Sequence, residues 1–242
     1  PSKTGTRLAS KIDQIQTAWE GEVLWITINR PEKKNALSFE MLAELIRLAK
    51  IAKSDRKLKA VVIRGCNQVF SAGIDTKALS NPKNAPFAIY QMIKPGINLF
   101  QQACLIWKEV PVPVIALIEG YCWGAGMQLA LGADIRIATP DARLSVMESK
   151  WGLVPDMGGM AAMRHLARGD VIRKLTYTAE VFEADAAHDY GFVTEIAEDP
   201  LARARELARE IAGKSPSALR SAKELLNIAD EEGGALEPLL AE

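Results

Sequence analysis

The stretch GYCWGAGMQLALGADIRIA, Gly120 to Ala138, reads as a tight glycine turn running into a short helix and then a strand. Glycine lets a ligand approach the main chain closely and supplies backbone angles that other residues avoid. A helix start leaves its first N–H groups without intrahelical partners and favours negative charge. Gln128 stands early in that helix and points a neutral amide at whatever the glycines surround. A second small-residue segment, SAGID (Ser71 to Asp75), offers the same kind of bare backbone. Two such donors converging on one oxygen would make an oxyanion hole, although a glycine turn before a helix also serves simply as a turn.

Working outward, EVLWITIN reads as a strand rich in β-branched and aromatic residues, and RPEKKNAL as the turn that ends it. Ser38 can cap a helix in which Met41, Leu45, Leu48 and Ala52 recur at helical spacing. LKAVVIRG and PVPVIALIEG read as buried strands, ADIRIAT and RLSVME as further strands, and NQVFSAGIDTKAL as a loop. A long helix is expected from Ala88 to Glu109, interrupted near Pro95 and Gly96. Beyond Gly158 the chain is mostly helical, with one short strand, FVTEIA. The pattern is an α/β core over residues 1–197, with 1–20 as an extended N-terminal arm, followed by a helical segment over 198–242. Leu and Ala on one face of that tail must pack on the chain's own core or on a neighbouring subunit.

Composition narrows the function classes. The 242 residues are 48% hydrophobic and 25% charged, enough for one large core or a domain with an appendage. Thirty Lys and Arg balance thirty Asp and Glu, so no net field favours nucleic acid or an anionic membrane. Cys66, Cys104 and Cys122 are widely spaced with no CxxC pair, which suits a reducing compartment. The two histidines, His165 and His188, show no metal-type spacing, so neither a metal site nor a histidine triad is expected. PSKTGTRLASKIDQIQTAWEGE has no apolar core of a secretory signal, and no apolar run reaches membrane-spanning length. A cytoplasmic protein is expected.

Five blocks occur in order: NRPEKKNALS, FSAGIDTKAL, PVPVIALIEGYCWGAGMQLALGADIRIAT, MESKWGLVPDMGG and YTAEVFEADAAHDYGFVTEI. Together they resemble the crotonase (enoyl-CoA hydratase/isomerase) superfamily over roughly residues 22–197. The resemblance implies a spiral of ββα units with a helical C-terminal trimerisation segment, assembled as a homotrimer or hexamer. It also implies an acyl-CoA thioester substrate and no cofactor beyond the CoA that the substrate carries. Carried over by position, the oxyanion donors are the N–H groups of Ile74 and of Ala125, where the family usually has glycine. Ala72, Ile74, Asp75, Thr76 and Lys77 would lie along the CoA, with Lys77 as a phosphate partner or an ordinary solvated lysine. NPKNAPFAIYQMIKPGINLF would form the wall of the acyl pocket.

The family's hydratases use two glutamates, and here the resemblance breaks. The second matches Glu148, at a strand end in SVMESKWG; the first matches Gln128, which cannot exchange a proton at neutral pH. Its amide can still orient a water or a substrate group. Asp156, in GLVPDMGG, is the candidate to take over acid–base work, and family members that are dienoyl-CoA isomerases are similar there. It is equally read as the N-cap of the helix that follows. The leading expectation is hydration of a trans-2-enoyl-CoA through an enolate, in acyl-CoA degradation. The alternative is an enoyl- or dienoyl-CoA isomerase using Glu148 and Asp156. RNA binding is a remote alternative resting on Arg47, Lys50, Lys53, Arg56, Lys57 and Lys59, with no interleaved aromatic residues; a non-catalytic acyl-CoA binder is another.

Overall fold

A computed structural model describes residues 8–93 and 95–232. In chain order it runs β1 (Ile15–Glu20), β2 (Val23–Ile28), α1 (Phe39–Ser54), β3 (Ala60–Gly65), α2 (Thr76–Ser80), α3 (Ala85–Ile93), α4 (Leu99–Glu109) and β4 (Val114–Ile118). Next come β5 (Tyr121–Trp123), α5 (Ala125–Leu131), β6 (Ile135–Ala138), β7 (Arg143–Ser145), α6 (Gly159–Met163), α7 (Gly169–Thr178), β8 (Phe182–Glu183) and α8 (Ala184–Asp189). β9 (Glu195–Ile196), α9 (Pro200–Ala212) and α10 (Pro216–Glu232) complete it. The main sheet has the order β1-β2-β3-β4-β6-β9, and a smaller one the order β5-β7-β8. β1 and β2 form an antiparallel hairpin; from β2 to β9 the neighbours run parallel.

Parallel strands need crossovers; α1 and α4 cover one face of the sheet and α9, which follows the last strand, covers the other, which is why these strands read as unbroken apolar runs. Leu24, Ile26, Val61, Ile63, Val114 and Ala116 pack with Met41, Leu45 and Leu48 of α1 and with Trp107 of α4 in one core. The alternate positions Val23, Trp25, Val62, Ile115 and Leu117 form a second core with Ala204 and Ala208 of α9. The i, i+2 alternation of a strand divides one apolar run between two cores. Ser38 caps α1 by accepting a hydrogen bond from the Met41 N–H, as its place before the apolar repeat predicts.

Two local expectations are corrected. Residues 15–20, expected as part of an extended arm, are edge strand β1, paired with β2 from Ile15–Ile28 to Glu20–Val23. Residues 1–7 of that arm lie outside the described residues. The helix expected over 88–109 with a break near Pro95 and Gly96 is broken there, into α3, which starts at Ala85, and α4, which starts anew at a capping box between Asn98 and Gln101. Glu148 does not end a strand: β7 stops at Ser145, and Glu148 opens a 3-10 turn that runs to Trp151.

The C-terminal helices pack on the chain's own core. Lys223 of α10, only 7% exposed, donates to Trp107 O (3.1 Å) and Val112 O (3.0 Å) and pairs with Asp134 at 2.6 Å. Nearby, Asn227 donates to Lys108 O and Arg220 to the carbonyls of Asp55 and Leu58. Burial pulls the Lys223 ammonium below its usual lysine range, and Asp134 opposes that shift. Residues 233–242 of the expected C-terminal segment lie outside the described residues.

Candidate active site

Backbone geometry brings the two small-residue segments together. Ser71 donates its N–H to Tyr121 O and accepts from the Trp123 N–H, so SAGID lies as a parallel bridge beside β5. Ser71 is fully buried, and its hydroxyl donates to Asn35 O while accepting from the Gly73 N–H. On the other side, Leu37 N–H donates to Gly73 O and Asp75 N–H to Leu37 O. Gly73 has φ +101°, and a methyl built on it would lie 3.0 Å from Trp123 O and 3.6 Å from the Ala125 nitrogen. Only glycine tolerates both that angle and that approach. Among the described residues, neither the Ile74 N–H nor the Ala125 N–H donates a hydrogen bond within the chain. Two backbone donors beside one another and uncommitted can hold an oxygen that gains negative charge.

The acid sits beside this pair of segments. Glu148 is 9% exposed, and its Oε1 accepts a 2.7 Å hydrogen bond from Gln128 Nε2. A methyl on Gly124 would lie 3.3 Å from that Oε1, so the carboxylate faces the glycine turn at the place a side chain would take. Oε2 of Glu148 is buried with no hydrogen-bond partner among the described residues. Burial pushes the Glu148 carboxyl above the usual carboxylate range; the charge of Asp156 adds to this, and the Gln128 donor and a backbone N–H oppose it. Gln128 itself is 3% exposed and accepts a 2.9 Å hydrogen bond from the Gly159 N–H.

The other candidate residues divide. Asp156 is exposed; its charge reaches Glu148 and the buried thiol of Cys104. It is not an N-cap: Gly158 holds that position before α6, with φ +89° and no side-chain cap, and the Asp156 N–H closes a turn onto Val154 O. The left-handed angle that the chain needs there is glycine's, so the cap reading fails. The Asp75 carboxylate is committed within the chain: it caps α2 through the Lys77 and Ala78 N–H groups and pairs with Arg30 at 2.8 Å. Ala72 and Ile74 are half-buried, and Thr76 and Lys77 are exposed on the first turn of α2. The segment expected to wall the acyl pocket presents Phe87, Ile89, Tyr90, Ile93 and Ile97 outward.

Sequence reasoning missed Gly159, the seat of the Gln128 amide, whose only trace is the doubled glycine in DMGG. A cavity of about 560 Å³ lined by Glu119, Thr139, Asp141 and Asp199 contains none of the candidate residues. Among the described residues no cluster of His, Cys, Asp or Glu could hold a metal ion, and no helix is long and apolar enough to cross a membrane. Of the six basic residues considered for RNA, Arg47, Lys53 and Lys59 pair with Glu44, Glu109 and Glu22.

Known proteins complete the description. Residues 19–235 match the family model "Enoyl-CoA hydratase/isomerase". The Δ(3,5)-Δ(2,4)-dienoyl-CoA isomerase of Rattus norvegicus is 32% identical over 216 residues, covering 86% of this chain and 66% of its own length, so the chain spans about two thirds of that relative. An enoyl-CoA hydratase from Polaromonas sp. JS666 superposes with a TM-score of 0.84 at 32% identity, over 94% of this chain and 87% of the other. A Thermobifida fusca protein assigned to the enoyl-CoA hydratases, solved with acetoacetyl-CoA, superposes with a TM-score of 0.81 at 26% identity, over 95% and 96%. The chain belongs to the enoyl-CoA hydratase/isomerase family, the crotonase superfamily, and has its fold.

Proposed function

We propose that this chain moves a carbon–carbon double bond within an acyl-CoA thioester, with Glu148 taking a proton from one carbon and returning it to another. One observation carries the reading. Glu148 Oε2 is a buried carboxylate oxygen without a partner among the described residues, while the neighbouring position 128 holds an amide that cannot titrate. In the first step a C–H bond breaks, its proton bonds to Oε2, and the electron pair moves onto the thioester oxygen, held by the N–H groups of Ile74 and Ala125. In the second the electron pair returns to form a C–H bond at the far carbon, and the proton leaves Oε2. One base suffices, no water is consumed, and no cofactor is required beyond the CoA of the substrate. Asp156 lies where its charge keeps Glu148 a stronger base.

Hydration is the second reading, favoured by the likeness to the Polaromonas hydratase. In that case exposed Asp156 would supply the second acid. Incubation with crotonyl-, 3-enoyl- and 3,5-dienoyl-CoA separates the two. The isomerase reading expects products of unchanged mass from the 3-enoyl or dienoyl substrate. A product heavier by one water from crotonyl-CoA, with the other two untouched, would reverse the order.

The same reading includes a homotrimer or hexamer. Trp151, Val154 and Tyr177 are exposed on and beside the Glu148 turn, and Ile93 and Ile97 at and beyond the end of α3; where such side chains form one large apolar patch, they mark an interaction surface. Light scattering is expected to give a multiple of the 26.4 kDa chain mass. A monomer at micromolar concentration contradicts it.

A further inference from the structure

We propose that Gln128 is a positioning residue: anchored on the Gly159 N–H, its amide holds Oε1 of Glu148 and leaves Oε2 as the single oxygen that carries the substrate proton. The inference rests on Glu148 being the base. It answers why position 128 is not an acid.

The orientation of the amide follows from its partners. A backbone N–H only donates, so the atom of Gln128 that meets Gly159 at 2.9 Å is the oxygen. The nitrogen then faces Glu148 Oε1 at 2.7 Å and donates. The seat is built from bare backbone. A methyl on Gly159 would lie 2.6 Å from Gln128 Oε1 and 2.8 Å from its Cγ. At the other end, the methyl that Gly124 lacks would press on Glu148 Oε1 at 3.3 Å. The pair thus occupies space that side chains at two glycines would take, and both residues are buried.

A carboxylate at 128 would place an oxygen where Nε2 now stands, 2.7 Å from Oε1, and the two acids would have to share a proton. The amide supplies that bridging hydrogen from a group that does not titrate. Without it the Glu148 carboxylate could rotate, and either oxygen would take the proton. The charge of Asp156 acts on Glu148, and that of Glu148 on the buried thiol of Cys104.

The test compares Gln128→Met, which keeps length and removes both hydrogen bonds, with Gly159→Ala, which displaces the amide without touching Glu148. Both are expected to lower kcat, by roughly tenfold to a hundredfold for Gln128→Met and less for Gly159→Ala. KM should stay within about twofold, and the acid limb of kcat should move to higher pH, because a donor to the charged carboxylate has been lost. The carboxyl carbon of Glu148, followed by NMR in ¹³C-labelled protein without substrate, should titrate at higher pH in both variants. An unmoved titration in folded Gln128→Met overturns the proposal. So does a KM that rises while kcat holds, since Gln128 would then be touching the acyl-CoA. Failure of the underlying reading looks different: Glu148→Gln would remain active whatever position 128 holds.

Discussion

Replacing Glu148 by glutamine is expected to lower kcat by about 10²- to 10⁴-fold while acyl-CoA binding persists. The substitution keeps the size of the side chain and an oxygen that can accept from Gln128, and removes only the oxygen able to take a proton. General acid–base help of that size is worth roughly 3 to 5 kcal/mol of barrier. Steady-state rates beside calorimetry with acetoacetyl-CoA separate the two effects; near-normal turnover would remove Glu148 from the mechanism. In the parent enzyme activity should fall on acidification through the raised Glu148 pKa, above the usual carboxylate range. The same shift has a stability sign. A carboxyl whose folded-state pKa exceeds its unfolded value contributes stability fully present below the unfolded pKa and lost as pH rises through the folded one. Glu148→Gln escapes that loss. Its Tm is therefore expected above the parent's at neutral pH, with the gap closing toward about pH 4. A gain in stability beside a loss in rate is the mark of a group kept for chemistry.

Gly126→Ala is expected to cost about 10²–10³ in turnover and about 1–3 kcal/mol in stability together. The added methyl would lie 2.7 Å from the Ser71 Cβ and 2.8 Å from the Ser71 carbonyl oxygen. Ser71 cannot retreat, because both its backbone groups and its hydroxyl are bonded to Tyr121, Trp123, Asn35 and Gly73. Relief must come by parting SAGID from α5, which separates the Ile74 and Ala125 N–H groups. Thermal melting, kcat and the affinity for acetoacetyl-CoA should all fall. A variant that melts lower but turns over normally would show that these two N–H groups are not the oxyanion donors.

The parts of this molecule that depend on one residue's own chemistry were legible from its letters. Apolar runs bounded by turns located β2, β3, β4 and β6, and Ser38 announced the start of α1. β1 was passed over because its buried face alternates with Gln16, Ala18 and Glu20, and that pattern gains meaning only opposite β2. Glu148 was found by its block, although its local structure is a 3-10 turn. Gly159 was not, because it acts through a backbone N–H, which every residue but proline possesses. Lys223 reads as a solvated lysine, and its burial depends on carbonyls more than a hundred positions away. Asp156 reads as a cap until the strained angle beside it is seen to require Gly158.

The sheet with two cores also sets an order of events during synthesis. Trp25, Val62 and Ile115 belong to strands made early, yet the helix that covers them begins at Pro200. The ion pair between Glu20 and Arg205 joins positions 185 residues apart. Until α9 has left the ribosome, one whole face of the sheet has nothing to lie against. At a typical elongation rate of about 5–20 residues per second, a nascent chain spends on the order of ten seconds with that surface open to water. A chain built this way has reason to depend on chaperones at birth, and truncations ending before α9 leave the same adhesive surface exposed for good.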